Sequence, residues 1–201
     1  MEKINKKYLA LGDSYTIGEQ VLPENSFPYQ LTAILNKDQH DFYFDDPEII
    51  ARTGWTTDEL QAAIDVAQID QTYDLVTLLI GVNNQYRGRT VDEYQLQFKK
   101  LLMQAIDFAG GKTSNVFVLS IPDWGVTPFA EGRNKEAIAL EIDAFNAAAE
   151  NTCRKNQVTF IDITTGQRTD GSKKDFLAED GLHPSGKEYA KWVQEILVHG
   201  P

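Results

Sequence analysis

Residues 8–14 read Tyr8-Leu9-Ala10-Leu11-Gly12-Asp13-Ser14, a short apolar run that ends abruptly on a glycine, an acid and a hydroxyl. Continuous rather than alternating hydrophobicity marks a strand covered on both faces, as in a parallel sheet sandwiched between helices. Four more runs of this kind follow, at Glu48 to Ala51, Leu75 to Ile80, Val116 to Ile121 and Val158 to Ile161. Between them lie amphipathic stretches that predict helices over Phe27 to Leu35, Asp58 to Ala67, Val91 to Ala109, Asn134 to Lys155 and Ser185 to Val198. Thr56 or Thr57, Thr90 and Ser185 stand where free helix N–H groups need a side-chain oxygen, and Gly110-Gly111 gives the third helix its stop. Strand and helix in alternation predict a three-layer α/β/α sandwich around a five-stranded parallel sheet. Such sheets hold their ligands at the carboxyl ends of the strands.

The chain has 201 residues, 42% hydrophobic and 24% charged, enough for one globular domain with a substantial core and too few for two, so residues 1–201 are expected to form a single domain. Disorder and collagen-like repeats are excluded. Nineteen Lys and Arg against 30 Asp and Glu leave a net charge of −11, which repels nucleic-acid backbones and anionic lipid surfaces. The lone cysteine, Cys153, has no partner for an intrachain disulfide or a cysteine-based metal site and is read as buried helix surface. The positive start Met1 to Lys7 leads into only Tyr8 to Leu11, too short for an export signal, and no apolar run approaches the roughly 20 residues of a membrane span. A cytoplasmic protein is the expectation, although a signal removed before Met1 would leave no trace.

Four segments then follow strands with reactive groups: Gly12-Asp13-Ser14-Tyr15, Arg52-Thr53-Gly54-Trp55, Gly81-Val82-Asn83-Asn84 and, after the fifth strand and a polar loop, Asp180-Gly181-Leu182-His183-Pro184. Ester cleavage by a serine needs a base, an acid that orients the base, and donors for the oxyanion. Ser14 is the expected nucleophile, His183 the base and Asp180 its orienting acid. The N–H groups of Ser14 and Gly54 and the Asn83 amide form the expected oxyanion hole.

The same residues carry a resemblance. In Gly-Asp-Ser, Gly54, Gly-Val-Asn-Asn and Asp-Gly-Leu-His-Pro the chain resembles the SGNH hydrolases, or GDSL esterases and lipases, named for their catalytic serine, glycine, asparagine and histidine. The match runs from residue 8 to about the last helix, with the blocks in order. It implies a flavodoxin-like fold and an esterase of the lysophospholipase-like or short-chain type, acting through an acyl-enzyme without cofactor or metal. Two positions depart from the family pattern. Tyr15 stands where Leu is common, and Asn84 where Asp is common, an amide in place of a supporting carboxylate.

Trp55, Tyr86, Trp124 and Phe129, with Tyr15, are candidates for an acyl or alcohol pocket, although aromatics after strands are often simply packed. Pro122 to Ala130 is a candidate substrate-contacting flap, and Arg87 and Arg89 are either binders of a charged group or a solvated loop. His40 and His199 read as solvated. With no room for a lid domain, short or mobile acyl groups come first among alkyl, acetyl-sugar, lysophospholipid and thioester substrates. An acyltransferase of the same family is a close alternative. A flavodoxin-like module with a phosphate or flavin at Ser14-Tyr15-Thr16-Ile17-Gly18 is the other, and it leaves Asn83 and His183 unexplained.

Overall fold

The computed structural model describes residues 3–37 and 41–200; His40 lies outside them. Its strands are β1 (Ile4–Lys6), β2 (Tyr8–Asp13), β3 (Phe42–Phe44), β4 (Glu48–Arg52), β5 (Leu75–Leu79), β6 (Val116–Leu119) and β7 (Thr159–Ile161). Its helices are α1 (Ser14–Ile17), α2 (Phe27–Leu35), α3 (Thr57–Ala67), α4 (Val82–Tyr86), α5 (Val91–Phe108), α6 (Lys135–Lys155), α7 (Thr164–Asp170) and α8 (Gly186–His199). Five strands form one sheet in the order β4-β2-β5-β6-β7, parallel throughout. All five of the apolar runs are in it. Every residue of β2, β5 and β6 is buried, as expected for strands with helices on both faces. Helices α3, α5 and α6 pack together, and α2 packs on α8.

The register aligns the strand ends that matter. Asp13 is paired with Arg52 and Gly12 with Leu79, so the residues after β2, β4 and β5 emerge side by side. Because β2 is flanked by β4 on one side and β5 on the other, its carboxyl end is the point where the chain's direction of travel across the sheet reverses, and crevices open there. A Cβ on Gly12 would lie 2.1 Å from Thr16 Oγ1 and 2.4 Å from the Leu79 carbonyl oxygen. Only glycine lets α1 fold back so closely on the end of the central strands.

Helix ends follow the sequence with one exception. Thr90 accepts the Glu93 N–H, Glu59 accepts the Thr56 N–H at 2.8 Å, and Gly110 and Gly111, both at positive φ, close α5 onto the Asp107 and Ile106 carbonyls. Ser185 does not cap α8 with its side chain; its Oγ donates instead to the Asp175 carbonyl oxygen at 2.7 Å. The parallel pair β1–β3 was not anticipated, since three polar-flanked residues give no usable alternation. Cys153 is fully buried in α6, and burial lifts its thiol to about 12. Among the described residues no helix is long and apolar enough to cross a membrane.

Candidate active site

Ser14 is the first residue of α1, directly after β2. Asp13 ends the strand and caps this helix by accepting the Tyr15 N–H at 3.0 Å. The cap satisfies a donor that a bound phosphate would need, and it puts a carboxyl there. A four-residue helix capped by an acid is no anion cradle, which removes the flavodoxin-like reading.

The Asp13 carboxyl is itself fully buried, and its Oδ2 has no hydrogen-bond partner. Burial pushes it up to about 7 against the single opposing bond from Tyr15, so it holds a proton through most of the acid range. A carboxyl raised by folding takes up a proton in the folded state and therefore costs stability as pH climbs from its unfolded value of 3.8 toward 7. Asp13→Asn keeps the capping oxygen and removes the titration. Its melting temperature is expected to fall less than that of the wild type between pH 5 and pH 8, and an unchanged difference would contradict a raised Asp13.

Asp180 and His183 form a closed local unit. Asp180 Oδ1 accepts the N–H groups of Leu182 and His183, both at 3.0 Å, and Oδ2 meets His183 Nδ1 at 2.5 Å. Gly181, at φ +66°, makes the turn between them. Burial works to raise the Asp180 carboxyl, but the His183 ring and the two N–H donors outweigh it and hold the group below the usual carboxylate range. The Tyr15 ring leans on the imidazole at 5.6 Å between centroids. The Tyr15 hydroxyl is driven well above its ordinary range by burial and by the charges of Asp13, Asp180 and Asp123, so it stays un-ionised.

Gly54 sits in the turn that the Trp55 N–H closes onto the Arg52 carbonyl oxygen, at a φ of +84° that L side chains rarely adopt. Asn83 lies on α4, not in a loop, and donates one amide proton to the Trp55 carbonyl oxygen at 3.0 Å. The second amide proton remains available. Asn84, fully buried, accepts the Thr57 N–H at 3.1 Å and donates to Thr57 Oγ1 at 2.7 Å, so an amide ties α4 to the start of α3 by using both of its functions. A carboxylate there would supply only the acceptor.

Ser14, Tyr15, Thr53, Gly54, Val82, Asn83, Tyr86, Trp124, Phe129, Leu182 and His183 surround one cavity of about 180 Å³. Trp55 is not in its wall. It packs on the core, and its carbonyl oxygen steadies Asn83. Val82 and Leu182, which the sequence did not single out, are. Arg87 and Arg89 do not face it as anion binders: Arg87 donates to the Gly54 carbonyl oxygen at 2.5 Å and pairs with Glu59, and Arg89 pairs with Asp58 and Glu93. Pro122 to Ala130 supplies Trp124 and Phe129 to the cavity wall and is tied to its surroundings by hydrogen bonds and an ion pair. Asp123, buried, accepts the Gly125 N–H and pairs with Arg168 at 2.8 Å, and the Phe129 N–H donates to the Gly181 carbonyl oxygen. His199 is exposed.

The model of the GDSL-like lipase/acylhydrolase family matches residues 10–191. The chain belongs to that family, and it is an ester hydrolase of the esterase and lipase type. Among solved structures it is similar to the acetylxylan esterase Axe2 from Geobacillus stearothermophilus (TM-score 0.75, 18% identity, covering 99% of this chain and 96% of that one). It is also similar to TesA (0.74, 15%, 96% and 97%) and to the psychrotrophic esterase EstA from Pseudoalteromonas sp. (0.71, 15%, 94% and 93%). At these identities the likeness is one of fold. No protein of curated function matches the chain significantly in sequence.

Proposed function

We propose that the chain, as one hydrolase domain, cleaves esters of small acyl groups through an acyl-enzyme on Ser14. The observation that carries this reading is the His183–Asp180 pair at 2.5 Å, with His183 lining one small cavity together with Ser14, Gly54 and Asn83. His183 Nε2 takes the Ser14 proton as Oγ attacks the ester carbon, and Asp180 holds the opposite ring nitrogen protonated and balances the imidazolium charge. The N–H groups of Ser14 and Gly54 and the free Asn83 amide proton receive the oxyanion. His183 then protonates the departing alcohol. Water, deprotonated by the same imidazole, attacks the acyl-enzyme, and the carboxylic acid leaves with Ser14 restored.

Size supports a short acyl group. A volume of about 180 Å³ lies well below the range of roughly 300–1,000 Å³ usual for larger ligands. Hydrolysis of p-nitrophenyl esters from acetate to palmitate by the wild type and by Ser14→Ala tests the proposal. Turnover should peak at the short chains and vanish in the variant, with fluorophosphonate labelling lost in parallel. Full esterase activity in folded Ser14→Ala would refute the nucleophile.

A further inference from the structure

Gln85 follows the Asn83-Asn84 pair on α4, and no motif draws attention to it. It is nevertheless buried, and it links two elements. Its Oε1 accepts the Trp124 Nε1–H at 2.8 Å, and its Nε2 donates to Glu141 Oε2 on α6 at 2.6 Å. The direction of this chain is forced, because an indole only donates and a carboxylate only accepts, so the amide has one orientation that serves both. Trp124 is held at a second point by its own carbonyl oxygen, which accepts the Thr127 hydroxyl at 2.7 Å. Its ring stands edge-on between Tyr86, at 5.3 Å and 70°, and Phe129, at 6.0 Å and 68°. Both neighbours are about half exposed, whereas Trp124 is buried and forms the inner side of this aromatic wall.

We infer that Gln85 is a specificity-determining residue: by locking the Trp124 indole in place through the Glu141–Gln85–Trp124 chain, it closes the acyl side of the cavity and confines the enzyme to short acyl groups. This inference rests on the proposed hydrolase reading. The leaving alcohol has to lie against His183, which returns its proton; the Phe129 end of residues 122–130 is bonded to the His183 loop, so the acyl chain lies toward the other end, against α4 and Trp124. Tyr86 and Phe129, half in solvent, have room to turn aside for a longer chain; the indole does not while its N–H is tied to a buried amide. Releasing the N–H frees the ring to swing and lengthens the cavity.

The test is the ratio of kcat/KM for p-nitrophenyl acetate to that for p-nitrophenyl octanoate. Both substrates are measured on the same sample, so the ratio does not depend on how much enzyme is folded or active. Gln85→Met has similar volume and neither hydrogen bond, and it is expected to shift the ratio about tenfold toward octanoate, the scale on which apolar pockets discriminate chain length. Glu141→Ala, which removes the anchor from outside the cavity, is expected to shift it in the same direction by less. In a Trp124→Phe background, where there is no N–H to hold, Gln85→Met should add nothing. Ratios within twofold of the wild type in both Gln85→Met and Glu141→Ala would overturn the lock. An equal shift by Gln85→Met with and without the indole N–H would overturn its action through Trp124. Should the wild type neither hydrolyse any ester of the series nor take up a fluorophosphonate at Ser14, the hydrolase reading falls, and this one with it.

Discussion

His183→Ala is expected to lower kcat for p-nitrophenyl acetate about 10⁶-fold, and Asp180→Asn about 10⁴-fold, with both proteins folded. The gap between them follows from what each side chain does. Without the imidazole nothing in the cavity takes the Ser14 proton, because the Tyr15 phenol is held un-ionised and the Asp13 carboxyl is buried and capping α1. Asparagine at 180, by contrast, retains an oxygen for the Leu182 and His183 N–H groups, so the turn survives. What it loses is the negative charge against Nδ1 and the acceptor that selects the tautomer with an unprotonated Nε2. Some rings in the ensemble still hold that tautomer. Steady-state kinetics on variants with wild-type circular dichroism measure the difference, and an equal loss in the two would contradict the division of roles.

Asn83→Ala should cost roughly 10² to 10³ in kcat while leaving KM nearly unchanged, the signature of a donor used only when charge develops on the oxygen. Aspartate at 83 should do no better than alanine, since it has no proton to offer the oxyanion. The hydrogen bond from Asn83 to the Trp55 carbonyl oxygen explains why the effect is sharp: it fixes the amide plane before substrate arrives. A rise in KM at constant kcat would assign Asn83 to ground-state binding instead. In the proposed hole the N–H groups of Ser14 and Gly54 remain as donors, so residual turnover in Asn83→Ala is expected to stay measurable.

Much of this was legible in the chain. The five strands announced themselves because burial on both faces leaves unbroken apolar runs, and Gly12-Asp13-Ser14 and Asp180 to His183 are dense local signals. The short helices α1, α4 and α7 were not legible, since four to seven residues carry too little periodicity to be distinguished from a turn. Arg87 and Arg89 stay open, in sequence, between anion binders and a solvated loop for a different reason. Apart from Glu93, four residues after Arg89, their partners Asp58 and Glu59 are about thirty positions away in sequence, and only the fold turns the two cations into clamps on the Gly54 turn and α3. Gln85 was invisible on the same ground, its worth residing wholly in Trp124 and Glu141. Trp55, open in sequence between a pocket role and simple packing, packs on the core, and the useful atom is its carbonyl oxygen.

The two halves of the site differ in how the chain assembles them. Asp180 and His183 meet across a loop of four residues, whose closure costs little entropy, with Tyr15 and the Phe129 N–H bracing it from outside. The proposed oxyanion donors belong to residues 14, 54 and 83, and these residues converge only once β2, β4 and β5 are in register. The proposed acid–base pair is therefore local in sequence. The anion receptor is a property of the assembled sheet, and it exists nowhere along the chain until folding is complete.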